Sequence, residues 1–364
     1  MTLTLENVWR TVGDEVHIAE ANLSLERGTL NTLLGPTLAG KTSLMRLMAG
    51  LDKPTKGRVL FDGQDVTGVR VQDRSVAMVY QQFINYPALT VYENIASPLR
   101  IARTPAAEID RKVREAAAMM KLEPMLDRTP LELSGGQQQR TALARALVKG
   151  ADLVLLDEPL ANLDYKLREE LREELPRVFA ESGAVFVYAT TEPTEALLLG
   201  GNTATLNEGR VTQFGSTLDI YRNPGDLLTA DVFSDPPMNT LPVSIRGGVV
   251  SHGEKLSAPA TGVLSAVSDG DYTLGFRPNH LYLHKHSDNM IPFSTRVAVT
   301  EITGSESFVH VDFSGQRWVS LTHGVRDVDI DSTIDVYLEP SKCFVFDTSG
   351  KLLAGPWSSV GEQG

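Results

Sequence analysis

Leu133-Ser134-Gly135-Gly136-Gln137 decides the fold because of what lies on either side of it. Upstream, Gly35-Pro36-Thr37-Leu38-Ala39-Gly40-Lys41-Thr42 fits the spacing G-x-x-x-x-G-K-[ST]. Downstream, Leu153-Val154-Leu155-Leu156-Asp157-Glu158 is an apolar strand ending in two adjacent carboxylates. Ser134 is a good helix N-cap, and the two glycines behind it leave backbone N–H groups uncovered. Ala142, Leu143, Ala146 and Leu147 give the helix that follows an apolar side. Such a helix end attracts an anion. A plain capped helix is the duller reading, but it does not explain Gly135, Gly136 and Gln137 together.

The glycine loop works because backbone N–H groups must point at phosphate oxygens, which side chains would obstruct. The helix behind it adds a favourable dipole. Gly35, Pro36, Thr37, Leu38, Ala39, Gly40, Lys41, Thr42 and Ser43 are the expected nucleotide cradle. Within it Lys41 would reach the β- and γ-phosphates of ATP, and the Thr42 hydroxyl would coordinate Mg²⁺. Charges at the end of a buried strand are costly unless they are used. Asp157 would help hold Mg²⁺, and Glu158 would polarise the attacking water.

At 364 residues the chain is long enough for two domains and a core without disulfides. Its only cysteine, Cys343, excludes an internal disulfide framework and suggests a reducing compartment. The net charge of −12 argues against a nucleic-acid surface, which draws on clustered Lys and Arg. No signal peptide is visible, and no apolar run approaches the roughly 20 residues of a membrane-spanning helix. Any membrane part must come from another chain.

Residues 1–235 read as alternating strands and helices. Residues 41–49 form an expected helix, with Gly50 as its C-terminal cap. A second is expected to open on Thr104 as cap and Pro105 as first residue, carrying Ile109, Val113 and Met120. A third runs from Asp164 to Ser182 with Leu167, Leu171, Leu175 and Val178 on one face. Pro176 should kink or split it, since an interior Pro costs about 3 kcal/mol. Asp235-Pro236-Pro237 marks a boundary, and 236–364 read as a small all-β domain, sandwich or barrel. Its expected strands include 241–245, 272–276, 295–300, 308–313, 334–338 and 344–346.

The three motifs in this order resemble the ABC ATPases. The resemblance implies an α/β P-loop ATPase domain with a helical subdomain, followed by a small OB-like regulatory domain. It also implies that Ser134, Gly135, Gly136 and Gln137 contact the γ-phosphate held by an opposite subunit, so that two subunits sandwich two ATPs. Gln81, in Met78-Val79-Tyr80-Gln81-Gln82-Phe83, is similar to the glutamine that senses Mg²⁺ and links the site to the membrane partner. Ala161-Asn162-Leu163-Asp164 is similar to the loop touching the other subunit's active site. Asn85 to Ile95, Met238-Asn239 and Gly275-Phe276-Arg277-Pro278-Asn279-His280-Leu281 resemble the maltose-importer branch, which takes up sugars and polyols. Two membrane-spanning permease subunits, a solute-binding protein acting indirectly, and a peripheral place on the cytoplasmic face of the inner membrane would follow. The run Leu33 to Ser43 looks like one of the two paired ATPases of glycerol importers.

Three positions depart from that pattern. Thr191 stands where the family places the histidine that contacts the γ-phosphate and orders the water. A Thr hydroxyl is shorter and carries no useful charge near neutral pH. Val12 aligns with the aromatic that stacks on adenine, with Trp9 as a nearby candidate. Leu38 occupies a loop position where a small residue is usual. Together these favour ATP binding over rapid hydrolysis, and a non-identical second ATPase as partner.

Overall fold

The computed structural model describes residues 2–82, 84–161 and 163–357. The chain divides into two compact units, Met1–Thr217 and Leu218–Gly364. The sequence reading puts the boundary at 235. Packing puts it earlier because the helix Leu227–Val232 buries Ala230 with Met238, Phe344 and Phe346 of the β-rich unit.

The first unit is built on a six-stranded sheet. Five parallel strands run in the order Asn202–Asn207, Leu30–Leu34, Val185–Thr190, Leu153–Asp157 and Val76–Val79, and Arg210–Ser216 is an antiparallel edge. Strands buried on both faces read as continuous apolar runs, and successive side chains alternate between two cores. Val154, Leu156, Phe186 and Tyr188 join one core, which holds the helices Val91–Ile101, Gly135–Val148 and Tyr165–Ser182. Leu153, Leu155, Val187 and Ala189 join the other, against the helix Lys41–Ala49. The same alternation sends Asp157 toward that last helix. A four-stranded antiparallel sheet of Glu15–Glu26, Thr2–Val12, Lys56–Phe61 and Gln64–Asp65 packs into the second core.

Three helix expectations need comment. Lys41–Ala49 ends on Gly50 in the left-handed conformation, as expected. The helix after Thr104 runs Ala106–Met119 with Pro105 as its flanking residue, so Thr104 does not cap it and Met120 lies just beyond it. Tyr165–Ser182 continues through Pro176 as one helix. Leu167, Leu171, Leu175 and Phe179 are all buried along its face. At about 1.5–3 kcal/mol for each buried side chain, that packing outweighs the proline's cost.

Among its described residues the second unit is all-β beyond two short α-helices, Thr217–Arg222 at its start and Leu227–Val232, and three short 3-10 helices. A six-stranded antiparallel sheet runs in the order Leu256–Pro259, Val249–His252, Asn239–Arg246, Gly270–Phe276, Phe344–Phe346, Leu352–Ala354. A five-stranded one runs Leu281–Tyr282, Thr333–Leu338, Ile291–Ile302, Glu306–Phe313, Gln316–His323. Their shared core centres on Trp318, stacked on Phe313 and edge-on to Phe276 and Phe293. Its indole N–H donates to Thr240 O at 2.9 Å, satisfying the ring's polar atom.

Candidate functional site

The strand Leu30–Leu34 delivers the chain into the glycine loop, whose backbone is wedged too tightly for a side chain at its two glycines. A Cβ on Gly35 would lie 2.4 Å from Leu206 O, and one on Gly40 would lie 3.0 Å from Ile18 Cδ1. Gly40 also has φ +101°, so only glycine suits it. It precedes the helix Lys41–Ala49 and has no side chain to cover the first-turn N–H groups. Those donors therefore remain available for an anion. Lys41 Nζ folds back and donates to Gly35 O at 2.7 Å and Pro36 O at 3.0 Å. Ala39 O accepts from Gly209 N at 3.0 Å. Leu38 is the exception within the loop, at φ +69° and 95% exposed.

Around this loop lies a cleft of about 640 Å³. Thr37, Leu38, Gly40, Lys41, Thr42 and Ser43 of the loop line it, together with Gln81, Glu158 and Thr191 and with Glu15, Val16, His17, Glu208 and Gly209. Thr42 Oγ1 donates to Asp157 Oδ2 at 2.7 Å, and Gln81 Nε2 donates to Glu158 Oε2 at 2.9 Å. Burial raises the Asp157 pKa above the usual range, opposed by the Thr42 hydrogen bond and Lys41. It raises Glu158 too, opposed by Lys41 and reinforced by Asp157, Glu195 and Glu192. Burial lowers the Lys41 pKa against the pull of both carboxylates. Glu158 sits at φ +47°, held by its N–H to Ala189 O at 3.0 Å.

A hydroxyl and a carboxylate already in contact, with an amide beside them, form an oxygen donor set suited to Mg²⁺. Among the described residues no cluster of three His, Cys, Asp or Glu could hold a metal alone. Phosphate oxygens would have to complete the coordination.

The structure does not bring every expected residue to the cleft. Ser134 and Gln137 form a capping box, with Gln137 N donating to Ser134 Oγ at 3.3 Å and Ser134 N to Gln137 Oε1 at 2.9 Å. These two, with Gly135 and Gly136, do not line this cleft. Asp164 caps the helix Tyr165–Ser182 by accepting from Leu167 N, while Asn162 and Phe83 lie outside the described residues. Val12 does not line the cleft either. It ends its strand opposite Glu15 in a hairpin, which leaves Val16 and His17 to approach the loop. Trp9 pairs with Lys56 farther along, its N–H donated to Asn7 Oδ1 and its ring under the Lys56 ammonium. Neither residue is among those lining the cleft.

Two contributors were not legible beforehand. Gln139, buried on the Gly135–Val148 helix, donates to Glu158 O at 3.4 Å and so ties that helix to the carboxylate strand. Beside Thr191, buried Glu195 accepts from Tyr188 Oη at 3.2 Å, Thr190 Oγ1 at 2.6 Å and Arg172 Nη2 at 3.0 Å. Arg172 also reaches Glu169 and Glu192. An acid in the otherwise apolar stretch Glu195-Ala196-Leu197-Leu198-Leu199 was the one available signal.

Residues 18–161 match the ABC transporter family, and residues 274–346 match the TOBE domain. The chain is 36% identical to the trehalose/maltose import ATP-binding protein MalK of Thermococcus litoralis, over 96% of this chain and 98% of that one. It belongs to the ABC transporter ATPases. This ABC ATPase is also 35% identical to the sn-glycerol-3-phosphate import ATP-binding protein UgpC of Rhizobium meliloti, over 97% and 99% of the two chains. The xylose/arabinose import ATP-binding protein XacK of Haloferax volcanii is 35% identical, over 95% and 93%. Among solved structures, the ATP-binding cassette MJ0796 in a dimeric post-hydrolysis state bound to ADP and Pi aligns with TM-score 0.54 and 29% identity. It covers 59% of this ABC ATPase and 98% of that chain. The fold is therefore an ABC ATPase domain followed by an OB-like TOBE domain.

Proposed function

We propose that this chain is the ATP-binding subunit that energises an importer of a sugar or polyol, with glycerol or its phosphate among the candidate cargoes. One observation carries the reading. Lys41, Thr42, Gln81 and Glu158 line a single cleft, with Thr42 hydrogen-bonded to Asp157 and Gln81 to Glu158. In that arrangement the loop from Gly35 to Ser43 binds the phosphates of ATP, and Lys41 leaves the loop carbonyls for the β- and γ-oxygens. Thr42, Asp157 and Gln81 would hold Mg²⁺, whose chemistry there would be to neutralise phosphate charge. Glu158 accepts a proton from water as it attacks the γ-phosphorus, and the bond to the β-phosphate oxygen breaks to leave ADP and phosphate. Its raised pKa keeps it a competent base.

Ser134, Gly135, Gly136 and Gln137 do not line the cleft of their own chain, which supports a role toward a second subunit's ATP. Permease subunits and a solute-binding protein are the further partners, reached from the cytoplasmic face of the membrane. Among the described residues no helix is long and apolar enough to cross a membrane.

Thr191 favours a finer reading. It lines the cleft, but its hydroxyl has no hydrogen-bond partner among the described residues. The site of this chain is then slow, and its intact Leu133–Gln137 completes the site of a non-identical ATPase. Equilibrium binding of Mg-ATP tests the main reading: Lys41→Ala should abolish binding that the parent shows. Isolation of a native importer holding two copies of this chain and no other ATPase would sink the finer one.

A further inference from the structure

Adenine in a protein cleft ordinarily gains much of its affinity from stacking on a π surface. Among the described residues lining this cleft there is no Phe, Tyr or Trp. Apart from the phosphate loop and the hydrolytic groups Gln81, Glu158 and Thr191, the residues that line the cleft are Glu15, Val16 and His17 of the Glu15–Glu26 strand, with the Glu208–Gly209 turn, and these are left for the base.

The strand's position is fixed by contacts with the loop. His17 O would lie 3.1 Å from a Cβ on Gly40 and 2.5 Å from one on Gly209. Ile18 is fully buried in the core beneath, so its neighbour His17 turns the opposite way, toward the cleft. The His17 side chain is 39% exposed, and its Nε2 lies 3.7 Å from Glu15 Oε2. It is therefore partly anchored and still offers a ring face. Val12, opposite Glu15, and Trp9, opposite Lys56, are not among the residues lining the cleft.

We propose that His17 is the base-recognition residue of this cleft, its imidazole serving as the stacking platform with Val16 packed beside it. This rests on the reading of the cleft as a nucleotide site and adds how the base is chosen. Because stacking accepts any π face, the site discriminates weakly between purines and binds ATP and GTP with similar affinity.

The test measures dissociation constants for Mg-ATP, Mg-GTP and Mg-tripolyphosphate in the Glu158→Gln background, which prevents turnover. His17→Ala should weaken ATP and GTP about tenfold, the scale of one lost base stack, and leave tripolyphosphate unchanged. His17→Tyr should restore or tighten both nucleotides. Lys41→Ala should lose all three ligands. The proposal is overturned if His17→Ala leaves ATP affinity intact, or if it weakens tripolyphosphate as much as ATP. A parent that binds tripolyphosphate no more weakly than ATP overturns it too. Failure of the parent to bind any of the three would instead remove the nucleotide-site reading beneath it.

Discussion

Thr190 and Thr191 are neighbours at one strand end with opposite surroundings. Thr190 is buried and bonded to Glu195, inside a cluster that also holds Tyr188, Arg172 and Glu192. Thr191 is exposed on the cleft with no side-chain partner among the described residues. Strand alternation explains the split, since one residue faces the helical core and the next faces the site. The inner side of the loop is thus fully furnished, while its outer side presents to the cleft the short, uncharged hydroxyl of Thr191. The comparison teaches that one strand end can carry a packed polar cluster and an open cleft position side by side.

The largest test of that contrast is Glu158→Gln. Removing the base should lower whatever ATP turnover exists by about 10²–10⁴-fold while nucleotide binding persists. Steady-state phosphate release reads the first, and equilibrium binding reads the second. A variant as active as the parent would move the chemistry to another residue.

Next is the inner cluster. Arg172→Ala leaves Glu195 buried with its charge uncompensated, which should cost about 3–5 kcal/mol in denaturant unfolding of the first unit. The Arg172 and Glu195 side chains are only 11% and 6% exposed, so water cannot replace the lost partner. A loss below about 1 kcal/mol, the worth of an exposed pair, would mean that the cluster is not structural.

A smaller effect concerns pH. Glu158 must be ionised to take a proton, and burial raises its pKa above the ordinary 4.5, with Asp157, Glu195 and Glu192 adding to the rise. Activity should therefore climb with pH through a midpoint above 4.5, and Glu192→Gln should shift that limb to lower pH. For stability the sign is opposite. A raised folded-state pKa contributes stability that is complete below the unfolded value and lost as pH rises through the folded one. Glu158→Gln should accordingly be more stable than the parent at pH 7, with the gap closing in acid. An unchanged pH profile in Glu192→Gln would remove that residue's charge from the account.

The smallest effect is at Leu38. A non-glycine residue at φ +69° carries strain of roughly 1–2 kcal/mol. Leu38→Gly relieves that strain but adds unfolded-chain entropy, so a net gain of about 0.5 kcal/mol is expected in thermal unfolding. A clear loss would show that the leucine makes a contact of its own.

Much of the site was legible because its chemistry is local. Gly35, Gly40, Lys41 and Thr42 lie within one turn of chain, and Asp157 and Glu158 end a strand whose apolar run announces burial. The partners were less visible because folding brings them from far away. Arg172 and Glu195 are 23 residues apart, and neither spacing nor composition links them. The antiparallel sheet at the amino terminus was also missed. Thr2–Val12 and Glu15–Glu26 pair with repeated register shifts, which blur the alternation that marks a strand. In the β-rich unit the apolar strands Asn239–Arg246 and Glu306–Phe313 were readable. Val249–His252 and Leu256–Pro259 are short, and Gln316–His323 carries polar residues at most positions. Val12, the position the sequence pointed to for the base, pairs with the cleft residue Glu15 without itself lining the cleft.

The most direct measurement is ATP turnover by the purified chain and by Thr191→His, with Glu158→Gln as the blank and nucleotide binding checked in each. The account predicts a parent that binds ATP and turns it over slowly, and a histidine variant at least about tenfold faster, within the range of one positioned proton-transfer group. A parent that hydrolyses ATP as fast as Thr191→His would contradict it and leave two identical subunits as the simpler machine.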